Sequence, residues 1–382
     1  MIYRADHRSV KVMGRTLYKG GVRYLGNSAS YIEFSFTGTR ASARLVVSND
    51  ADTSEMRACM AVIVNDEEDK AKREVLADGE WEMELFVCER PETVTIRLQK
   101  LSESKYGIVG IRQIQTDGEI FPLPYRERRI EFVGDSITCG YGVEGRRDGG
   151  FATREENPLK AYAARCAKEL GADYQLVARS GIGVLSNWIE ASRQTPDTVD
   201  LIPDLYPYTD LYAGRALERV WLSPLKTGRQ KPGALREGEW ELWDASAFRP
   251  QLVVIHLGNN DASYVREDPE RERAFEREYA NFLKQVQERN PDAAILCALG
   301  LFGPELCPAV RRCVRKAGGN VFFFQFPRQD PKDGLGTGDH PGPLCQQKAS
   351  GLLTAQIRRI MNWPPAHTDD NRLPGGLPQR LP

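Results

Sequence analysis

A serine stands directly after an apolar run in the segment EFVGDSITCGYG, which spans residues 131–142. A buried strand that ends in a small turn holds a hydroxyl at its tip, where it can act as a nucleophile toward a bound substrate. Ser136 is therefore the first candidate catalytic residue. A serine at a strand end is also a common turn residue, so Ser136 alone does not decide between catalysis and a structural turn.

Two further segments offer hydrogen-bond donors of the kind that acyl transfer needs. HLGNNDAS (256–263) ends another apolar run, and the side-chain amide of Asn260 is a neutral donor for a developing oxyanion. ARSGIGV (178–184) contains Gly181 and Gly183, whose backbone N–H groups can approach a ligand closely because neither residue has a side chain. These segments predict an oxyanion hole, although Asn, Asp and Gly are also the usual turn formers.

A serine nucleophile needs a general base, and the chain contains four histidines. His7 lies in the first strand region, His367 lies in the C-terminal tail, and His256 lies inside an apolar strand, where a core role is expected. His340 lies in GTGDHPGP, a loop just before the last predicted helix and therefore on the carboxyl side of the sheet. Position and elimination both make His340 the predicted base.

The segments that carry these residues alternate between strand and helix patterns. Apolar strands are predicted over residues 129–134, 174–178, 251–258, 293–300 and 321–326. One helix is predicted within 157–171, with Gly171 as its C-terminal cap, and another runs from the N-cap Asp268 to residue 290. Five apolar strands separated by helices predict a parallel, flavodoxin-like α/β/α sheet with its ligand site at the carboxyl ends of the strands.

The first third of the chain shows a period of two instead. Residues 31–36 and 41–47 alternate apolar and polar side chains, and the intervening TGT is predicted to turn the chain into a hairpin. Further strands are predicted over 60–66, 81–87 and 93–99, and together they indicate a β-sandwich of jelly-roll type. The predicted organisation is a jelly-roll domain at 1–120, a linker at 121–128, a catalytic domain at 129–363 and a proline-rich, disordered tail at 364–382.

The order of these segments resembles the four sequence blocks of the SGNH, or GDSL-type, hydrolases. GDS follows the first α/β strand, the glycine pair follows the second, G-x-N-D follows the third, and a His-Pro precedes the last helix. The β-sandwich and the segments ERRIEFVGDSITCGYG and WDASAFRPQLVVIHLGNND further resemble carbohydrate esterase family two, over roughly residues 20–360. Enzymes of that family join a jelly-roll to an SGNH domain and remove acetyl groups from sugar hydroxyls.

The resemblance implies roles for individual residues of this chain. Ser136 becomes the nucleophile and His340 the base. The backbone amides of Ser136 and Gly183, together with the side chain of Asn260, become the oxyanion hole, with Gly181 as the second choice for the glycine. It implies an acetylated carbohydrate as substrate and requires no metal or organic cofactor.

One departure from the family pattern concerns the residue that orients the histidine. SGNH hydrolases commonly place an aspartate three residues before the catalytic histidine, and the esterase family tends to place one two residues before it. Here these positions are Thr337 and Gly338, and Asp339 is the immediate neighbour of His340. The favoured interpretation is a Ser-His dyad oriented by a backbone carbonyl, with Asp339 or Asp333 as candidate orienters.

Aromatic residues between the second and third α/β strands are candidate sugar contacts, because flat rings suit sugar faces. Trp188 and Trp243 are the predicted substrate-binding residues, and Tyr206 and Tyr208 belong to the same group. For each of them the alternative is ordinary packing in the protein interior.

Composition restricts the remaining possibilities. The formal net charge of -1 gives no long-range attraction to nucleic acid or to an anionic membrane. No apolar run reaches the roughly 20 residues that cross a bilayer, and the N-terminal segment MIYRADHRSV lacks the apolar core of a secretion signal. Eight cysteines without CxxC spacing are expected to be buried thiols in a reducing compartment, which predicts a cytoplasmic protein; disulfides or a zinc site are the alternatives.

Two other functions remain open at this stage. A lipase or thioesterase on the same catalytic scaffold would prefer acyl chains longer than acetate. A non-catalytic carbohydrate-binding protein would use the β-sandwich and carry a degenerate hydrolase domain, and the missing upstream aspartate favours that view. Retention of Ser136, Asn260 and His340 together argues against it.

Overall fold

The chain forms two β-sheets, an antiparallel one in its N-terminal part and a parallel one in its C-terminal part. The structure is a computed structural model that describes residues 1–50, 53–222 and 240–365, with the backbone alone for 218–222. The predicted disordered tail therefore lies almost entirely outside the described residues. The strands of the N-terminal sheet are β1 (Ile2–Tyr3), β2 (Lys11–Met13), β3 (Leu17–Lys19), β4 (Val22–Leu25), β5 (Tyr31–Asn49), β6 (Cys59–Val64), β7 (Lys72–Val75), β8 (Gly79–Lys100), β9 (Gly107–Thr116) and β10 (Glu119–Phe121).

Two long strands build the predicted sandwich. β5 and β8 pair with each other antiparallel over nearly their whole lengths. The first half of β5 also pairs with β2 and β10, whereas its second half pairs with β9, so each half belongs to a different layer. Apolar side chains from both halves, such as Phe34 and Leu45, share one buried core. The antiparallel N-terminal domain is thus confirmed.

The predicted hairpin at residues 37–39 is wrong, because the chain continues there as one strand. The pairing register of β5 with β8 shifts between Gly38 and Arg40, which bends the strand instead of reversing it. The backbone N–H groups of Thr39 and Arg40 donate to the carboxylate of Asp117, each at 3.0 Å, and hold the bend. Likewise, the predicted strands at 81–87 and 93–99 are two halves of β8.

The second sheet is parallel and has the order β12-β11-β13-β14-β15. Its strands are β11 (Arg128–Gly134), β12 (Ala172–Ala178), β13 (Leu252–His256), β14 (Ala294–Leu301) and β15 (Val321–Arg328). The described helices are α1 (Ser136–Cys139), α2 (Tyr162–Glu169), α3 (Ile202–Leu205), α4 (Leu211–Leu222), α5 (Ala262–Val265), α6 (Pro269–Arg289), α7 (Cys307–Ala317) and α8 (Pro343–Met361). The flavodoxin-like α/β prediction is confirmed, and the strand order changes direction beside β11, where such sheets place their ligands.

The helix termini agree with the sequence signals. The carboxylate of Asp268 accepts hydrogen bonds from the N–H groups of Glu270 and Arg271 and caps α6, as predicted. Gly171 follows α2 with a φ of 61°, as a C-terminal glycine should. In the described helices, no segment has both the length and the apolar character needed to cross a bilayer.

Buried ion pairs join the two domains. The Lys11 ammonium lies 2.8 Å from the Asp173 carboxylate, and the Arg15 guanidinium lies 3.0 Å from the Glu131 carboxylate. In each pair the cation comes from the β-sandwich and the anion from the α/β sheet. All four side chains are at most 4% exposed, so both ion pairs are buried in the domain interface.

Candidate active site

Ser136 is held at the carboxyl end of β11, an inner strand of the parallel sheet. A Cβ atom on Gly134 would lie 2.1 Å from Thr138 Oγ1, so the tight passage from strand to helix requires glycine. The buried Asp135 caps α1 by accepting a hydrogen bond from Ile137 N–H at 3.0 Å. The other carboxylate oxygen accepts from Asn259 Nδ2 at 3.1 Å, which ties the turn to the end of β13.

His340 lies against the serine in the geometry of a nucleophile and its base. Its Nε2 is 2.9 Å from Ser136 Oγ, and its Nδ1 is 3.0 Å from the carbonyl oxygen of Thr337. Since a carbonyl only accepts, the proton belongs on Nδ1, and Nε2 is free to accept the serine proton. Burial lowers the pKa of His340 below its ordinary value, which keeps the ring neutral and able to act as a base at neutral pH.

The turn that carries His340 is fastened to the loop that follows Ser136. Thr337 N–H donates to the carbonyl of Gly142 at 3.0 Å, and Thr337 Oγ1 donates to the carboxylate of Glu155 at 3.0 Å. The same Thr337 supplies the carbonyl that orients the imidazole. Nucleophile and base are therefore positioned by one shared set of loop contacts.

The structure does not bring either candidate aspartate to the imidazole. Asp339 is exposed, and its carboxylate lies 2.5 Å from the Arg147 guanidinium. Asp333 pairs with Lys348 at 2.6 Å on the surface. The prediction that Asp339 orients His340 is therefore corrected. Asp339 is adjacent to His340 in the sequence, and its side chain points away from the imidazole ring. The Thr337 carbonyl takes that place, in agreement with the favoured interpretation.

Replacement of Asp339 by asparagine tests this correction. We expect kcat for ester hydrolysis to stay within about twofold of the wild-type value, because exposed ion pairs contribute little and the Thr337 carbonyl is unchanged. Steady-state kinetics across pH 5–9 would check it, with Asp333→Asn as the matched control. A loss of a hundredfold or more in Asp339→Asn alone would show that the carboxylate orients His340 after all.

The oxyanion hole requires a second correction, which concerns the choice of glycine. The N–H of Gly183 is buried and already donates to Asn187 Oδ1 at 3.3 Å. Gly181 has a φ of 82°, and a Cβ atom there would meet nothing within 4 Å, so this residue borders open space. In the described part of the chain no group accepts a hydrogen bond from Gly181 N–H. The structure therefore favours Gly181, the second choice, over Gly183.

Asn260 borders the same loop. Its Nδ2 donates to the carbonyl of Ile182 at 2.8 Å, which uses one of the two amide hydrogens and fixes the plane of the side chain. The second hydrogen remains as the donor that an oxyanion would use. Ser136 N–H, at the first position of α1, also has no intrahelical acceptor.

Asp261 positions this loop, a role that the sequence analysis missed. Its Oδ1 accepts hydrogen bonds from the N–H groups of Val184 at 3.0 Å, Leu185 at 2.7 Å and Ser186 at 3.0 Å. The only sequence signal is that Asp261 completes the G-x-N-D segment. The segment therefore supplies two neighbouring functions, a donor at Asn260 and a loop anchor at Asp261.

Aromatic rings that the sequence analysis did not single out surround the imidazole. The ring of Tyr141 lies 4.7 Å from His340, and Phe302 meets His340 edge-on at 5.1 Å. Phe151 stacks on Tyr141 at 3.7 Å with an interplanar angle of 10°. These rings cover part of the imidazole and contribute to the burial that lowers its pKa.

The predicted sugar-binding aromatics fall in different places. Trp188 is 57% exposed, and its backbone N–H donates to the carbonyl of Gly181 at 2.8 Å, so Trp188 lies beside the favoured glycine. Trp243 instead packs over the Arg15 guanidinium at 5.1 Å, and it lines a cavity with Arg129 and Gln175 near the amino ends of the strands. Trp243 is therefore not part of the Ser136 site, because ring chemistry alone does not tell which end of a sheet a residue faces.

Two further aromatics also serve packing. Tyr206 is fully buried, and its hydroxyl donates to the carboxylate of Glu131 at 2.7 Å. Tyr208 meets Trp240 edge-on at 5.5 Å. Tyr206 belongs to the interior, as the alternative interpretation has it, whereas Tyr208 is only partly buried.

In the described ranges, one group of side chains is compact enough to be considered as a metal site. Single ligand atoms of Glu103, Cys139 and Glu156 lie within 4.8 Å of one another, and all three residues are buried. Burial raises the pKa of Cys139 and of Glu156 well above the ordinary values, which favours their neutral forms. Two of the three residues already have hydrogen-bond partners in the protein: Glu103 accepts from Ser180, and Glu156 accepts from Ser28 Oγ at 3.1 Å.

Comparison with known proteins identifies the family. A model described as GDSL-like lipase/acylhydrolase matches residues 130–347, more than half of the chain, and the protein belongs to that family. A second model, described as carbohydrate esterase 2 N-terminal, matches residues 12–124. The predicted resemblance to carbohydrate esterase family two is thereby confirmed for the N-terminal domain, and the predicted GDSL-type hydrolase is confirmed for the C-terminal domain.

Individual relatives agree with this assignment. A cellulase/esterase from Acetivibrio thermocellus is 35% identical over 247 residues, which are 62% of this chain and only 26% of that relative. An acetylxylan esterase / glucomannan deacetylase from Cellvibrio japonicus is 25% identical over 371 residues, which are 94% of this chain and 91% of that protein. A family two carbohydrate esterase from Clostridium thermocellum in complex with cellohexaose superposes at a TM-score of 0.77 and 29% identity, over 93% of this chain and 99% of the other.

Proposed function

We propose that this protein is a serine carbohydrate esterase that removes O-acetyl groups from acetylated sugars. The observation that carries the proposal is the arrangement of Ser136 Oγ, His340 Nε2 and the Thr337 carbonyl, with contacts of 2.9 Å and 3.0 Å, in a chain whose other domain matches carbohydrate esterase family two. The relatives named above support acetylated xylan or glucomannan oligosaccharides as the substrate class.

In the proposed reaction each of these groups has one role. Ser136 Oγ attacks the acetyl carbonyl while His340 Nε2 takes the serine proton. The amides of Ser136 and Gly181 and the side chain of Asn260 donate to the oxyanion of the tetrahedral intermediate. As the bond between the acetyl carbon and the sugar oxygen breaks, His340 gives the proton to that oxygen, so the sugar departs with a free hydroxyl and acetyl-Ser136 remains. A water molecule, deprotonated by His340, then releases acetate and restores the free serine.

Trp188 is the proposed sugar platform. Its exposed ring and its backbone hydrogen bond to Gly181 support this role, because the sugar that bears the acetyl group must lie beside the oxyanion donors. Stacking of a sugar ring on an exposed indole would supply contact area without a specific hydrogen-bonding pattern. This arrangement suits an enzyme that accepts related acetylated saccharides.

A series of p-nitrophenyl esters tests the proposal against a lipase or thioesterase. We expect kcat/KM for the acetate ester to exceed that for the octanoate ester at least about tenfold, and we expect acetate release from acetylated xylo- and manno-oligosaccharides, measured by enzyme-coupled assay. A preference for octanoate would transfer the assignment to a lipase or thioesterase. Sugar binding without any ester hydrolysis would identify a carbohydrate-binding protein.

We propose that the enzyme works in a reducing compartment such as the cytoplasm, on imported oligosaccharides. The support is that all eight cysteines lie in the described residues, are free and, except for the half-buried Cys88, are buried. Free thiols of this kind are common in proteins that fold where disulfides do not persist.

A further inference from the structure

The favoured oxyanion donor, Gly181 N–H, belongs to the peptide between Ser180 and Gly181, and side chains of the β-sandwich hold this peptide. Gly181 N–H and the Ser180 carbonyl share one planar trans peptide, in which they point in opposite directions. Any group that fixes the direction of the Ser180 carbonyl therefore fixes the direction of the Gly181 N–H as well. Gly181 itself adopts a φ of 82° and has no side chain that could fix the direction of this peptide by packing.

Two charged side chains of the β-sandwich contact all three polar groups of Ser180. Lys105 Nζ donates to the Ser180 carbonyl at 3.3 Å. Glu103 accepts from Ser180 N–H through Oε2 at 2.7 Å, and its Oε1 accepts from Ser180 Oγ. Lys105 and Glu103 also pair with each other at 3.7 Å, so the two contacts form one bracket around the residue.

The bracket is rigid on the side of the β-sandwich. Lys100 is fully buried, and its Nζ donates to the carbonyls of Ser102 at 2.6 Å and Glu103 at 3.3 Å. Glu103 itself is 1% exposed. The loop that joins β8 to β9 is therefore fixed before it reaches across the domain interface to Ser180.

We propose that Lys105 and Glu103 are positioning residues that aim the Gly181 N–H into the oxyanion hole, so that the catalytic centre is incomplete without the N-terminal domain. The ammonium group of Lys105 on the Ser180 carbonyl also polarises that peptide and makes its N–H a stronger donor. This inference rests on the proposed function and assigns part of the transition-state stabilisation to a domain that carries none of the reacting groups.

The replacement Lys105→Met tests the inference, because methionine keeps the apolar stem and removes the donor. We expect kcat for p-nitrophenyl acetate, counted per active site titrated with an organophosphate, to fall about tenfold while KM stays within twofold. This is less than the hundredfold or more that follows complete loss of a donor, because Gly181 N–H is weakened and not removed. Lys105→Arg should restore most of kcat. Lys72→Met, at an exposed lysine of the same domain, is the matched control.

A transition-state analogue provides a readout that a general loss of structure would not produce. Methylboronic acid forms a tetrahedral adduct with a serine, so its affinity should fall in Lys105→Met by the same factor as kcat. A Lys105→Met enzyme with wild-type kcat per site and wild-type boronate affinity would overturn the inference, as would an equal loss in Lys72→Met. Absence of ester hydrolysis in the wild type would instead refute the proposed function, before any variant is compared.

Discussion

Replacement of Ser136 by alanine should lower kcat for acetyl ester hydrolysis by a factor of about 10⁴ or more, with little change in substrate affinity. The alanine removes the only atom that can form the acetyl-enzyme, whereas the oxyanion donors and the sugar-binding surface remain. Acetate release from an acetylated oligosaccharide would measure the loss. Binding of the same oligosaccharide, followed by calorimetry, should stay within about threefold of the wild-type affinity.

The control for this variant is Ser246→Ala, at an exposed serine away from the site. It should retain full activity. Hydrolysis that survives in Ser136→Ala at more than a few per cent of the wild-type rate would mean that another nucleophile, or a directly activated water, does the chemistry. In that case the 2.9 Å contact between His340 and Ser136 would be a structural hydrogen bond only.

Replacement of Asn260 by alanine should lower kcat by about 10²–10³ with KM nearly unchanged. Removal of one preorganised oxyanion donor has effects of this size, and they act on the transition state and not on the bound ester. Steady-state kinetics on p-nitrophenyl acetate would separate kcat from KM. The same substitution at Asn281, whose side chain contacts Glu278 on the surface of α6, is the matched control.

The hydrogen bond from Asn260 to the Ile182 carbonyl offers a second explanation for any loss, because it also supports the glycine loop. Thermal unfolding distinguishes the two roles. A large fall in kcat at a nearly constant melting temperature identifies a donor to the oxyanion. A loss of activity that disappears when the melting temperature is restored by stabilising substitutions elsewhere would contradict that role.

Much of the architecture was predictable because local patterns and tertiary structure agree. The five parallel strands are short, mostly apolar runs, as expected of a sheet with helices packed on both faces. The bend in β5 was not predictable in the same way. A Gly between two alternating segments permits both a bend and a reversal, and the deciding contact comes from Asp117, far along the chain.

In the candidate site, too, local sequence patterns predict some residues, whereas contacts between distant residues decide others. Ser136 and His340 follow from the ends of predicted elements. The choice between Gly181 and Gly183 depends on Asn187. Its side chain accepts a hydrogen bond from Gly183 N–H and makes no such contact with Gly181 N–H. Glu103 lies 77 positions from Ser180 in the sequence, and no sequence motif marks it. Its contact with Ser180 is therefore visible only in the folded domain interface.

The buried ion pairs between the domains restrict how such a protein can be recombined. Glu131 and Asp173 belong to the strands of the α/β sheet, and their cations, Arg15 and Lys11, belong to the β-sandwich. A catalytic domain transferred without its sandwich would lose the cation of each pair and would expose to water the surface that the sandwich now buries. The jelly-roll domain therefore differs from a carbohydrate-binding module that is joined by a flexible linker. It cannot be moved alone from one enzyme to another, and the two domains must be inherited together.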